Sequence, residues 1–360
     1  MQNIQEAFEI SSKCIYCTCK QAMYIKRHLN FLLIYFFTWR IMLFSLLTGV
    51  LAYIIYAHLG WTWVAIPWLP VSLIGTAVAF YVGFKNNQAY DRTWEARKVW
   101  GSINNLSRSF TATLRAYVNN DFGENTIPRH RIDAEIKIIT YRHLAWLHAL
   151  KHAMWKRTPW EHQRRVNAWY RNFLEEKFAY GSFDDEMAMF LGPEEQKWIK
   201  TKRNAPVQLL DRQSQHLKEL RHAGLLDDFR QMELQRLIME MYDEQGKTER
   251  IKNTPLPRQY ATSSTIFIII FTLLLPFGMI SEFEALGDGM LWLLIPFNLV
   301  VSWIFSLMEY IGDYSENPFE GLINDVPVLT IVRNIEIDLK DMLGEHDLPE
   351  HIKPVHDVLL

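Results

Sequence analysis

The sequence predicts an all-α protein with four membrane spans and a large helical region between the second and third. Three observations predict this. Four apolar runs share a single charged residue, Arg40, and each reaches the ~20 residues that a helix needs to cross a hydrocarbon core of ~30 Å. The charged block between the second and third runs repeats apolar residues at helical spacing and has no alternating strand pattern. Lysine and arginine collect at the same side of every run, as they do on the cytoplasmic side of membrane helices.

In chain order, residues 1–22 form a polar leader without an apolar signal core, expected to be disordered and cytoplasmic. It holds Cys14, Cys17 and Cys19. Three thiols without a nearby histidine make a weak metal site, and the alternative is a loose, reduced extension. Met23 opens "MYIKRHLNFLLI", which itself reads like a natural start. Residues 23–84 hold the first two spans, at 31–57 and 61–84, and residues 261–308 hold the other two, at 261–281 and 290–308. Residues 85–260 form the cytosolic helical region and 309–360 a cytosolic C-terminal segment.

The flanks give the orientation. Lys20, Lys26 and Arg27 precede the first span; Lys85, Arg92, Arg97 and Lys98 follow the second; Lys247, Arg250, Lys252 and Arg258 precede the third. The loops on the other side carry only His58, or Glu282, Glu284 and Asp288. Both termini and the middle block are therefore expected in the cytoplasm. Within that block, "INNLSRSFTATLRAYV" has helical periodicity, and "TPWEHQRRVNAWYRNFLEEKF" opens with Thr158 as N-cap, Pro159 at the first helical position and Glu161 in a capping box. "GPEEQKWIK" restarts after Gly192, and "LLDDFRQMELQRLIMEMYDEQG" predicts a helix ending at Gly246.

The function classes narrow quickly. The chain has 360 residues and a formal charge of −2, so no basic surface points to nucleic acid. No nucleotide loop, sequence repeat or nucleophile–base constellation is visible, and no cofactor or metal is expected. A transporter would favour broken helices and internal repeats; Pro276 and Pro296 allow breaks. A helical membrane scaffold is the third alternative. His143, His148 and His152 read as ordinary helix residues, and Arg40 either snorkels, pairs with Glu309, or marks a functional site.

The second span offers two faces. Gly75, Ala79 and Gly83 form a small-residue stripe suited to close helix approach; Leu69, Leu73, Ala77 and Tyr81 form another. Periodicity leaves open which of them is free. Directly after the span comes "NNQAYDRTWEARKVWG", a helical segment with Asn87, Tyr90, Asp91, Arg92 and Glu95 a turn or less apart. It reads either as an interfacial anchor or as a junction coupling the span to the helical body.

"LPVSLIGTAVAFYVGFKNNQAYDRTWEARKVWG", "TPLPRQY" at 254–260, and "ENPFEG" at 316–321 followed by "VRNIEIDLKDMLGE" together resemble the bestrophin family, particularly its bacterial branch, from about residue 23 to residue 345. The resemblance implies a homopentameric channel in a lipid bilayer, passing chloride or other monovalent ions through a central pore. It implies a neck at Leu69, Leu73 and Ala77, with a small residue at the third position where characterised relatives have a bulkier one. It implies a cytosolic aperture at Phe229, for which the alternative is a buried helix-start residue, and a coupling role for residues 87–95. Exposed Asp227 and Asp228 would lean to cations and Lys85 to anions. Animal relatives carry an acidic calcium clasp after the "NPF" element; here Glu320, Asn324 and Asp325 remain without a consecutive acidic run, which argues against calcium gating.

Overall fold

The computed structural model describes residues 23–24, 31–121, 127–162, 181–287, 289–322, 325–354 and 358–359. The cysteine-bearing leader 1–22, Asp288 and Asn324 lie outside the described residues. Contacts divide the chain into two units, one built from Lys26–Thr93 and Pro255–Asn317, the other from Trp94–Thr254 and Pro318–Leu360.

The first unit holds α1 (Phe31–Ala57), the N-terminal part of α2 (Trp68–Tyr117), α8 (Arg258–Glu284) and α9 (Leu294–Asp313). These are four helices long and apolar enough to cross a membrane. Small residues let them approach closely. A Cβ on Gly75 would lie 2.7 Å from the Phe271 ring, and one on Gly278 would lie 2.8 Å from Val71. The unit's core joins Val71, Val78 and Val82 of α2 to Ile268, Phe271 and Leu275 of α8. Neither proline breaks its helix: α8 runs through Pro276, and Pro296 falls in the first turn of α9, where a missing N–H costs little.

Helix α2 is longer than the predicted span. It runs for 50 residues, ~75 Å at 1.5 Å per residue, straight through the quoted segment and through "INNLSRSFTATLRAY". One face of it is buried throughout: Val71, Gly75, Val78, Val82, Lys85, Ala89, Thr93, Ala96, Trp100, Ile103 and on to Leu114 are buried, the first ten at steps of three or four.

The second unit is built around α3 (Arg129–Trp155), whose stretch from Arg142 to Lys151 is buried on all sides. Against it pack α4 (Phe183–Phe190), α6 (Ala205–His222), α7 (Asp228–Asn253) and α10 (Val328–Met342), with α5 (Pro193–Lys200) between α4 and α6. Side chains of Ser182, Asn204 and Asp227 cap α4, α6 and α7. Met23–Tyr24 and Val358–Leu359 form a two-residue antiparallel pairing.

Two expected helix boundaries are corrected. Residues Thr158–Glu161 form a turn and bend instead of a helix start, and Glu161 gives its carboxylate to the buried ammonium of Lys252; residues 163–178 of that expected helix lie outside the described residues. The helix expected to end at Gly246 continues to Asn253; Gly246 keeps helical backbone with nothing within 4 Å of a Cβ placed there. The histidines are also more than ordinary helix residues. His148 and His152 both meet Glu186 at 2.8 Å, and Lys151 meets it at 2.5 Å. Burial opposes the Glu186 charge, but hydrogen bonds from His148 and His152 and the charge of Lys151 hold its carboxyl well below the usual range. His143 is fully buried; burial pushes it down to about 3, so it is neutral.

Candidate functional site

The face of α2 opposite its buried stripe is apolar and open. Leu69 and Leu73 are 69% and 62% exposed, and Ala77 is exposed beside them. The structure therefore brings the three expected neck residues together on one free face. Of the other stripe, Gly75 is buried against Phe271, while Ala79 and Gly83 are half-buried.

The open face does not continue to Tyr81, which is half-buried and packs on Tyr260 and Phe267 at centroid distances of 5.9 and 5.2 Å. Steps of four advance about 40° beyond a full turn, so three steps rotate a residue about 120° off the stripe. Eleven residues make about three whole turns. That spacing returns Phe80 and Phe84 beneath Leu69 and Leu73, and both are exposed, at 67% and 64%. The spacing was available in the sequence and identifies the lower part of the face. Phe80 and Phe84 also edge a groove of about 680 Å³ whose other walls include Ala79 and Gly83 of α2, Phe271 of α8 and Phe305 of α9.

The segment after the span is split between the units. Asn87, Tyr90 and Asp91 are exposed and Arg92 is half-buried, all in the first unit. Glu95 is in the second, where it pairs with Arg250 at 2.5 Å. Thr93 donates to the carbonyl of Ser315 at 2.6 Å.

Phe229 stands in the first turn of α7 and is 84% exposed, which rules out the buried reading. Its acidic neighbours are engaged. Asp227 caps the helix by accepting from the Arg230 N–H at 2.8 Å, and Asp228 pairs with Arg221. They do not form an uncompensated negative charge. Met232 and Met239, 70% and 61% exposed, extend the apolar surface along α7.

Both remaining charge expectations for the spans are corrected. Lys85 is 1% exposed, and its ammonium lies 2.6 Å from Glu309. It is buried and its charge is compensated by the glutamate. Glu309 is consequently not the partner of Arg40, whose exposed guanidinium lies 5.5 Å from the Trp39 ring centroid. The sequence did place Lys85 and Glu309 at the same end of two spans, the one signal that could have paired them.

After "NPF", Glu320 is held by the backbone N–H and the ring Nδ1 of His162. Asp325 is buried and accepts from the Gly321 N–H at 2.5 Å. Among the described residues no group of three or more histidine, cysteine or acidic side chains is placed to hold a metal ion.

Residues 33–341 match the profile of the bacterial and fungal bestrophin proteins. The chain belongs to the bestrophin family. It is a channel-family protein and not an enzyme. A voltage-dependent anion channel-forming protein of Ralstonia nicotianae is 29% identical over 281 residues, covering 78% of each chain. One named YneE from Escherichia coli K12 is 26% identical over 302 residues, covering 83% of each. A point-mutated bacterial bestrophin homolog from Klebsiella pneumoniae superposes with a TM-score of 0.70 at 22% identity, covering 87% of this chain and 99% of that one. At that identity the likeness establishes the bestrophin fold alone.

Proposed function

We propose that the chain is one subunit of a homopentameric anion channel of the bacterial inner membrane, with α2 innermost and both termini cytoplasmic. The observation that carries this reading is the open apolar face of α2, Leu69, Leu73, Phe80 and Phe84, on a span without charge in a bestrophin chain. An isolated subunit exposes that face and the groove beside it; five copies around an axis direct the face to a pore and fill the groove with the neighbouring helix. The apolar ring at Leu69 and Leu73 gates by excluding water, since an ion cannot shed its hydration shell without replacement ligands. Small Ala77 widens the inner neck, and Phe80 and Phe84 supply bulk below it. Phe229, exposed at a helix start, forms the cytosolic aperture, and residues 87–95 couple neck and body along one helix.

Anion selectivity rests on the activity for which the relatives are named, because the charges that bear on it are engaged: Asp227 and Asp228 by arginines, Lys85 by Glu309. The unbroken α8 favours a channel over a transporter with broken helices. Purified protein in planar bilayers under a KCl gradient tests the reading, with native mass measurement on the same sample. Unitary currents reversing near the chloride potential, from a pentamer, are expected. A monomer or dimer, or reversal near the potassium potential, overturns it. Cysteine placed at Leu286 is expected to label from outside and cysteine at Met239 not; the reverse pattern inverts the orientation.

A further inference from the structure

A chain of polar contacts fixes the inner part of α2 against α8 and α9 within the first unit. The Lys85 ammonium, without exposed surface, meets Glu309 Oε1 of α9 at 2.6 Å. The same carboxylate accepts from buried Ser264 and, at 3.1 Å, from Thr265, both of α8. The next residue, Asn86, donates to the Met308 carbonyl at 2.9 Å. A Cβ on residue 312 would fall on the Asn86 Oδ1, so any residue larger than glycine there would displace the Asn86 amide. Two turns further along, Thr93 donates to the Ser315 carbonyl. These residues share the buried face of α2, away from the open face that carries Leu73 and Phe84.

An ion pair is a poor way to add stability inside a protein, because desolvating both charges cancels much of their attraction. It is an effective way to fix position. An apolar contact such as that of Val78 and Val82 tolerates sliding and rotation, whereas a charge pair is satisfied at one azimuth and one height. Lys85 lies twelve positions along the helix from Leu73, about 18 Å at the helical rise. A rotation imposed at Lys85 is carried by a stiff helix to Leu73.

We propose that Lys85, Glu309 and the Gly312 notch form a latch that sets the rotation of α2, and through it how often the neck stays dry. The pair is a positioning pair and not an ion-binding charge. The proposal rests on α2 being the pore wall.

The test uses the full chain in planar bilayers, with assembly followed by native mass. The variants are Lys85→Met, Glu309→Gln, and Lys85→Met combined with Glu309→Met. The double variant leaves no unpaired buried charge, so it separates loss of position from loss of folding. The closed-to-open equilibrium of each assembled variant is expected to shift toward open by at least about tenfold, equivalent to about 1.4 kcal/mol. The chloride-to-potassium permeability ratio is expected to stay within about twofold of the unaltered chain, since no ion reaches a buried, neutralised lysine. An assembled double variant that gates like the unaltered chain overturns the latch. So does a permeability ratio that collapses in Lys85→Met, which makes Lys85 a permeation site. If no variant assembles, the pair serves folding and the proposal fails. An unaltered chain that does not conduct is a different result and removes the pore reading itself.

Discussion

Truncating Leu73 tests the neck directly. Leu73→Ala removes three carbons, worth ~2.4 kcal/mol at ~0.8 kcal/mol for each buried CH₂. Leu73 is 62% exposed in the single chain, so ~1.5 kcal/mol of that is available for contacts made only in the assembly. Repeated around a fivefold ring, the upper bound on the shift between a dry and a wet neck is ~7 kcal/mol. A fifth of this, about 1.4 kcal/mol, already moves the equilibrium tenfold. The same exposure leaves only about 0.9 kcal/mol of contacts within the subunit, so its stability should change by no more than about 1 kcal/mol. Single-channel recording is expected to show much longer open times with little change in ion preference, in a protein whose unfolding midpoint and pentameric mass are unaltered. Unchanged opening refutes the argument and places the gate elsewhere on α2. A large loss of stability refutes it differently, by showing that Leu73 packs within the subunit.

Three further outcomes are expected. Phe229→Ala should raise the permeability of large anions relative to small ones without lengthening openings; unchanged ratios from bi-ionic reversal potentials place the aperture elsewhere. Chelating calcium should leave currents unchanged, because Glu320 is held by His162 and Asp325 by loop backbone; calcium-dependent opening in excised patches would show that other oxygens build a site. Burial, and then the charge of Glu320, push the Asp325 carboxyl up to about 8. The folded chain thus keeps a proton that the unfolded chain releases in the ordinary carboxylate range, so this group's contribution is full at acid pH and is lost as pH rises through about 8. Asp325→Asn should therefore gain stability over the unaltered chain progressively across that window. Parallel pH profiles of the thermal midpoint for the two proteins would contradict the assignment.

Much of the architecture was written locally. Four spans follow from length and apolarity, because a hydrocarbon core imposes both on any helix that crosses it. The start of α5 after Gly192 was legible because its capping chemistry is confined to a few neighbouring residues. The same rule misled at Thr158–Glu161: the capping box has the right letters, but Glu161 finds a stronger partner in Lys252, distant in sequence. Nor did Gly246 stop α7, since the cost of a glycine inside a helix, about 1 kcal/mol, is small beside the packing of the turns on either side.

The site divides in the same way. By itself the sequence determined that the second span is uncharged and that Leu69, Leu73 and Ala77 share a helical face, because 3.6 residues per turn is a property of the backbone. It offered a second, equally regular stripe and no means of choosing between them. Only the tertiary structure decided that Gly75 is the face against Phe271 and Leu73 the open one. It also drew Lys85 to Glu309 instead of leaving the lysine free or giving the glutamate to Arg40. Both outcomes depend on which helix lies beside which, and at what rotation. Periodicity fixes angles within one helix; the angle between helices is set by contacts among residues far apart in sequence, as between Lys85 and Glu309, 224 positions apart.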